Sequence, residues 1–271
     1  MNQNKKLLFF DVDGTLLAGG LPGYLPKSTM EALIKAQENG HYLFVNSGRT
    51  YSFLPQVIRE FPFDGYLCGC GTEVIFHGET LYHNVIPMHL RRSLKSILHE
   101  SGVQAVFEGH SSCFFDQEVD PFPPVTFLKD VYLDKTDPDV CRSFDDEELL
   151  FDKFGIYVGQ NSDKALFLKK LHPYFQLIRL EHQGDYQFGE IVPAHCSKAT
   201  GIDLLVKHLD CSIDDCFVFG DSANDLAMLQ HVTHSIAMGN SVPEVLSIAS
   251  YVTTPVDREG IPMALKHFRL I

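Results

Sequence analysis

Four short runs, far apart in the chain, carry residues suited to moving a phosphoryl group. They are Asp11-Val12-Asp13-Gly14-Thr15, Ser47-Gly48-Arg49, Lys198 and Gly220-Asp221-Ser222-Ala223-Asn224-Asp225. Alternate residues of an extended segment share a face, so Asp11 and Asp13 can point together if the backbone stays extended past Phe10. Gly14 then lets the chain turn away. Alone, this run also reads as a capped turn, or as a calcium loop of the Asp-x-Asp-x-Asp-Gly type. The remaining ligands of such a loop are missing, and such loops do not usually follow a buried apolar strand.

The second acidic run adds weight. Asp221 is expected to end a strand, with Asn224 and Asp225 in the first turn of the next helix. Carboxylates converging from two strands repel by about 4 kcal/mol per close pair at intermediate dielectric, so they need a cation or protons. Oxygen-only ligands around a phosphate favour Mg²⁺. A helix cap needs one Ser, Asn or Asp, and here four stand in five positions. Lys198 follows Ser197 at an expected helix start, where a positive charge opposes the macrodipole. A residue that breaks a local rule in this way can be serving a site. Ser47 and Gly48 offer a hydroxyl and an open amide to phosphate oxygens; Arg49 either contacts the phosphate or, the preferred reading, braces the loop.

These parts assemble into one reaction. Asp11 attacks phosphorus and becomes an aspartyl phosphate; Asp13 protonates the leaving oxygen and then deprotonates the hydrolytic water. Mg²⁺ sits on Asp11, the main-chain carbonyl of Asp13 and Asp221. Lys198, Ser47 and Asn224 orient the oxygens.

Three of the runs follow apolar stretches, Leu7–Phe10, Leu43–Val45 and Cys216–Phe219, which read as strands buried on both faces. In an open α/β sheet, ligands bind beyond the carboxyl ends of the strands. One fold rule therefore gathers the runs into one crevice. The expected fold is α/β, with a doubly wound, mostly parallel Rossmann-like core. Residues 1–81 and 189–271 form that core, and 82–188 an inserted α+β domain without a phosphate-handling motif of its own.

Locally, Ser28 with Glu31 predicts a capped helix ending at Gly40. Tyr51 to Phe61 predicts a helix disturbed by Pro55. Glu73 to Tyr82 predicts a hairpin turning at His77-Gly78-Glu79. Met88 to Ser101 predicts a helix closed by Gly102, Pro121 to Pro124 a loop, and Asp145 the start of a further helix. Strands are expected at Gly155–Gly159, Gln176–Leu180 and Tyr186–Ile191. The core pattern resumes near Glu190, with helices from Lys198 to Leu209 and from Ser222 to Gln230.

Composition narrows the partners. The 271 residues are 45% hydrophobic with a formal charge of −13, which argues against nucleic acid as the main partner. No stretch reaches membrane-span length, and Met1 to Lys6 leads into too short an apolar run for a signal peptide. Seven cysteines without a Cys-x-x-Cys pair read as reduced thiols of a cytoplasmic protein. Oligomeric state is not legible.

With these motifs in this order, the chain resembles the haloacid dehalogenase superfamily, in its Cof-like sugar-phosphatase branch with a large C2-type cap. The resemblance implies Asp11 as nucleophile, Asp13 as acid/base, Ser47 as the second-motif hydroxyl and Lys198 as the third-motif lysine. Asp221, Asn224 and Asp225 match the fourth-motif metal and phosphate group. It also implies that 82–188 is a cap that closes over the site and chooses a small phosphorylated metabolite. Cys70-Gly71-Thr72 stands where relatives often carry Asn-Gly-Ala, and Lys198-Ala199 where many carry Lys-Gly. Two rivals share the same residues: a phosphomutase-type phosphotransferase, and a non-catalytic sugar-phosphate sensor. The sensor would be expected to have lost a nucleophile, acid/base or metal ligand, and none is lost.

Overall fold

A computed structural model describes residues 5–20, 23–135 and 140–271; Met1–Asn4 and part of the expected flap after Gly14 lie outside them. The described chain forms two compact units. The first comprises the chain up to Arg49, Phe53–His83 and Ser197–Ile271, and the second Thr50–Ser52 with Asn84–Cys196.

The first unit opens with β1 (Leu7–Phe10), α1 (Lys27–Glu38), β2 (Tyr42–Asn46), α2 (Gln56–Glu60), β3 (Gly65–Cys68), β4 (Glu73–Phe76) and β5 (Glu79–His83). The second contains α3 (Met88–Ser101), β6 (Gln104–Glu108), β7 (Cys113–Phe115), α4 (Pro123–Lys135), β8 (Cys141–Ser143), β9 (Lys153–Val158), α5 (Lys164–Leu171), β10 (Phe175–Gln183) and β11 (Tyr186–Pro193). The first then resumes with α6 (Lys198–His208), β12 (Cys216–Gly220), α7 (Leu226–His231), β13 (His234–Ala237), α8 (Pro243–Ile248), β14 (Tyr251–Val252) and α9 (Gly260–His267).

Among the described residues, the first unit's sheet runs β14-β13-β12-β1-β2-β3-β4-β5. It is parallel from β14 to β3, and the β4–β5 hairpin extends it antiparallel. Every residue of β1 is fully buried, as expected of a strand covered on both faces. Leu7 and Phe9 join Ile202, Leu205, Met228 and Val245 in one core. Leu8 and Phe10 line the opposite face, where Phe10 stacks on Phe219 at 4.6 Å. The chain leaves β1 towards β2 on one side and returns as β12 on the other, so strand order reverses at β1. Such a reversal opens a crevice at the strands' carboxyl ends.

The second unit's sheet, again among described residues, runs β10-β11-β9-β6-β7-β8. Phe107, Phe144, Phe151 and Phe154 fill one face together with Leu94, Leu98 and Phe167 from α3 and α5. On the other face Lys153 lies 2.6 Å from Glu190 and 3.5 Å from Glu108. Arg179 pairs with Glu190 at 3.2 Å.

Several local expectations need correction. The inserted unit ends after Cys196 rather than at 188, because β11 runs unbroken from Tyr186 to Pro193, paired on both sides. Glu190 therefore belongs to the second unit. No helix starts at Asp145. Ser143 Oγ accepts the Asp145 amide and Asp146 Oδ1 those of Glu148 and Leu149, and such side-chain bonds compete with helix formation. The loop expected at Pro121–Pro124 instead leads into α4, whose first two residues are prolines, tolerated where no N–H is needed. Ser28 lies inside α1 rather than capping it, since the rigid Pro26 takes the N-cap position two residues earlier. Pro55 splits the expected 51–61 helix into a 3-10 turn and α2. The 222–230 helix likewise begins as a 3-10 turn, Ala223–Asp225, ahead of α7.

Candidate active site

Asp11 is the first residue beyond β1, and its amide still donates to Phe219 O (3.0 Å), continuing the ladder to β12. The chain then coils: Leu16 N–H donates to Val12 O and Gly14 N–H to Leu17 O, both at 3.0 Å. Gly14 carries this turn at φ +88°, and a Cβ there would stand 2.3 Å from Asp221 Oδ2. The glycine thus fits both the turn and the close approach of the second acidic run. Gly14→Ala is expected to cost about 1–2 kcal/mol and to displace the Asp221 carboxylate. Thermal unfolding and phosphate-release rates check this; an unchanged Asp221-dependent activity would contradict it.

Lys198 opens α6, held by a reciprocal cap between Ser197 and Thr200. Asn46, the last residue of β2, donates from Nδ2 to Lys198 O at 3.0 Å. Gly71 packs against the same cap, where a Cβ would lie 2.2 Å from Ser197 O. So fixed, the wholly buried ammonium lies 2.5 Å from Asp11 Oδ1, 2.5 Å from Asp225 Oδ1 and 3.4 Å from Asn224 Oδ1. The charge that opposes the α6 dipole is thus offset by two carboxylates.

Asp225 is fully buried, and its second oxygen accepts the amides of Asp221 (2.9 Å) and Ser222 (3.0 Å). It braces the turn as well as contributing charge. Asp221 Oδ1 accepts from Thr15 Oγ1 at 2.9 Å. Asn224 Oδ1 accepts from Ser222 Oγ at 2.8 Å. Ser47, buried beyond β2, accepts the Arg49 amide at 3.1 Å. The Gly48 amide meets no protein acceptor among the described residues.

Carboxylate oxygens of Asp11, Asp221 and Asp225 lie within 4.8 Å of one another. The carboxylate of Asp13 does not join them. The coil after Asp11 turns it towards Arg49, which grips it with two bonds, Nε–Oδ2 at 2.7 Å and Nη2–Oδ1 at 2.9 Å. Its charge is still felt by both Asp11 and Asp221.

Burial raises the Asp11 carboxyl well above its ordinary range against the pull of Lys198, with Asp225, Asp221 and Asp13 adding to the rise. Burial, reinforced by Asp225, pushes Asp221 up to about 7. Burial works against the Lys198 charge, but Asp11 and Asp225 outweigh it and keep the amine protonated. Ionised together, the clustered carboxylates of Asp11, Asp221 and Asp225 would exceed the Lys198 charge by two in a largely buried site. That surplus, on oxygen donors alone, matches a hard divalent cation.

The sequence reading gave no role to Thr15 or Asn46 and no partner to Asp13. Each carried a faint signal, a polar residue at or just past the end of an apolar strand.

A family model for haloacid dehalogenase-like hydrolases matches residues 8–265. YkrA of Bacillus subtilis (strain 168), which bears a phosphatase name, is 30% identical over 99% of both chains. An HMP-PP phosphatase of Yersinia enterocolitica is 27% identical over 89% of this chain and 86% of its own. Among solved structures, BT1666 from Bacteroides thetaiotaomicron, a phosphatase of the superfamily, superposes with a TM-score of 0.83. It is 26% identical and covers 100% of this chain and 97% of its own. The subclass IIB sugar phosphatase BT4131 gives 0.81 at 27% identity, covering 98% and 100%. The chain belongs to the haloacid dehalogenase-like hydrolases, in the Cof-like branch, and is a phosphatase of that superfamily.

Proposed function

We propose that this chain is a Mg²⁺-dependent phosphomonoesterase acting on a small phosphorylated metabolite, a sugar phosphate or similar, through a phosphorylated Asp11. The observation that carries the reading is the Asp11–Lys198–Asp225 chain of contacts, which holds a carboxylate at the crevice beside a buried amine.

In the first step an Asp11 oxygen bonds to phosphorus, and the ester P–O bond breaks with its electron pair on the leaving oxygen. Asp13 supplies the proton that oxygen takes up. In the second step water attacks phosphorus, gives a proton to Asp13 and frees Asp11 with inorganic phosphate. Lys198 holds a positive charge on the attacking carboxylate throughout, and Ser47 O–H and Gly48 N–H are donors for the phosphoryl oxygens. Asp11, Asp221 and the main-chain carbonyl of Asp13 would hold Mg²⁺, with Asp225 behind them. When bound, the ion supplies two positive charges against the phosphoryl group.

We further infer that the second unit selects the substrate, on the strength of its separate core and of the different names its relatives bear, HMP-PP phosphatase and sugar phosphatase. A cytoplasmic location is inferred from seven cysteines that form no disulfide. Among the described residues no helix is long and apolar enough to cross a membrane.

The test is phosphate release from a panel of phosphorylated metabolites, with Mg²⁺ and with a chelator. Release from at least one ester that needs the metal and no bisphosphate activator is expected. Release requiring an activator would mean phosphotransfer, and none from any ester would end the reading.

A further inference from the structure

Asp13 is oriented by Arg49 rather than by packing. Its side chain is 51% exposed, and its rotamer is not fixed by a surrounding wall. Both its oxygens are instead taken by the Arg49 fork at 2.7 and 2.9 Å, across 36 positions of sequence. Planar two-point pairing sets direction as well as distance, which a single ammonium does not.

Arg49 is itself anchored. Nη1 donates to Phe53 O at 3.1 Å, and its amide donates to Ser47 Oγ at 3.1 Å. These two anchors lie on either side of Thr50–Ser52, the three residues that cluster with the second unit. The turn that carries the phosphate-side hydroxyl therefore also carries the group that aims Asp13.

We propose that Arg49 is the positioning residue for Asp13, fixing where its carboxylate lies at the turn and giving up one of its two bonds when Asp13 carries the proton for the leaving oxygen. This rests on the assignment of Asp13 as acid/base. Proton donation matters most when the departing oxygen is basic, so phenyl phosphate needs it and 4-nitrophenyl phosphate, with a more acidic phenol, needs it little. A merely structural arginine would slow both equally.

The experiment compares kcat/KM for these two esters in wild type, Arg49→Gln, Arg49→Lys, Asp13→Asn and the Asp13→Asn/Arg49→Gln double variant, in saturating Mg²⁺. General acid catalysis is commonly worth about 10²–10⁴-fold. Arg49→Gln is expected to lose about 10–100-fold on phenyl phosphate and no more than about threefold on 4-nitrophenyl phosphate. Arg49→Lys, which keeps the charge but not the fork, should fall between. In the Asp13→Asn background Arg49→Gln should add no further discrimination, because the two act as one unit.

Equal losses on both esters, or full additivity with Asp13→Asn, overturn the proposal while leaving the acid/base assignment intact. If Asp13→Asn itself fails to discriminate between the esters, that assignment falls and the proposal with it. Should Arg49→Gln not fold, Arg49→Lys decides on the same criterion.

Discussion

Asp11→Asn should lose about 10⁴–10⁶-fold in turnover, the scale seen when a covalent nucleophile or its activating partner is removed, and should gain stability in metal-free buffer. The amide is isosteric and cannot form the mixed anhydride with phosphate, so the loss should be the same for every ester. The gain follows from burial. Asp11 titrates well above its ordinary 3.8 in the fold, raised by burial and by three neighbouring carboxylates against Lys198. A carboxyl raised by folding binds its proton more tightly in the native state, so native stability falls as pH climbs from the ordinary value through the raised one. Removing the charge removes that fall. The variant should melt above wild type at pH 8, with the difference closing as pH drops towards 4. Thermal unfolding with a chelator and rapid-quench phosphoenzyme trapping check the two halves separately. Residual turnover near wild type would exclude Asp11 as nucleophile. A variant that melts below wild type at pH 8 would contradict the electrostatic account of the site.

How far the sequence reached can be seen residue by residue. The strands that carry Asp11, Ser47 and Asp221 were legible because each is an apolar run ended by a polar residue, and the rule for open sheets brought them together. Lys198 stood out by opposing the α6 dipole, and the structure shows what offsets it, 2.5 Å contacts to Asp11 and Asp225. What escaped was set by side chains reaching across elements. Asp11 and Asp13 could point together only if the backbone stayed extended between them. Instead it coils, and the two carboxylates part, one buried with Lys198 and one outside with Arg49. Asp225 could be placed near the metal group, but its bonds to the amides of Asp221 and Ser222 arise only once the 3-10 turn has formed. In the second unit α4, β7 and β8 were missed. Three-residue strands such as Cys113–Phe115 and Cys141–Ser143 show too little periodicity, and a proline pair reads as a loop until it is seen to open a helix.

The second large effect belongs to Lys198→Met, which keeps most of the side-chain volume and removes the charge. In wild type the amine is held protonated by Asp11 and Asp225 at every ordinary pH, so its stabilisation is complete below 10.5. Without it, two buried carboxylates face each other with no counter-charge. Breaking a buried pair in this way typically costs about 3–5 kcal/mol, expected here at pH 8 in chelator. The cost should shrink on acidification, since Asp11 and Asp221, both raised by burial, can then relieve the repulsion by taking up protons. Asp221, already pushed up to about 7, loses the Lys198 pull that opposes its rise and should titrate higher still. Wild type and variant should therefore converge in melting temperature between pH 8 and pH 5, whereas loss of packing alone would leave the gap unchanged. Turnover distinguishes the two roles of the amine. At a pH and Mg²⁺ concentration where the variant is fully folded, kcat should remain down by about 10²–10³-fold or more, the usual cost of removing one preorganised donor from a developing anion. If folded Lys198→Met turned over at the wild-type rate, the lysine would be a structural counter-ion only, and the charge held on Asp11 during attack would have to come from elsewhere.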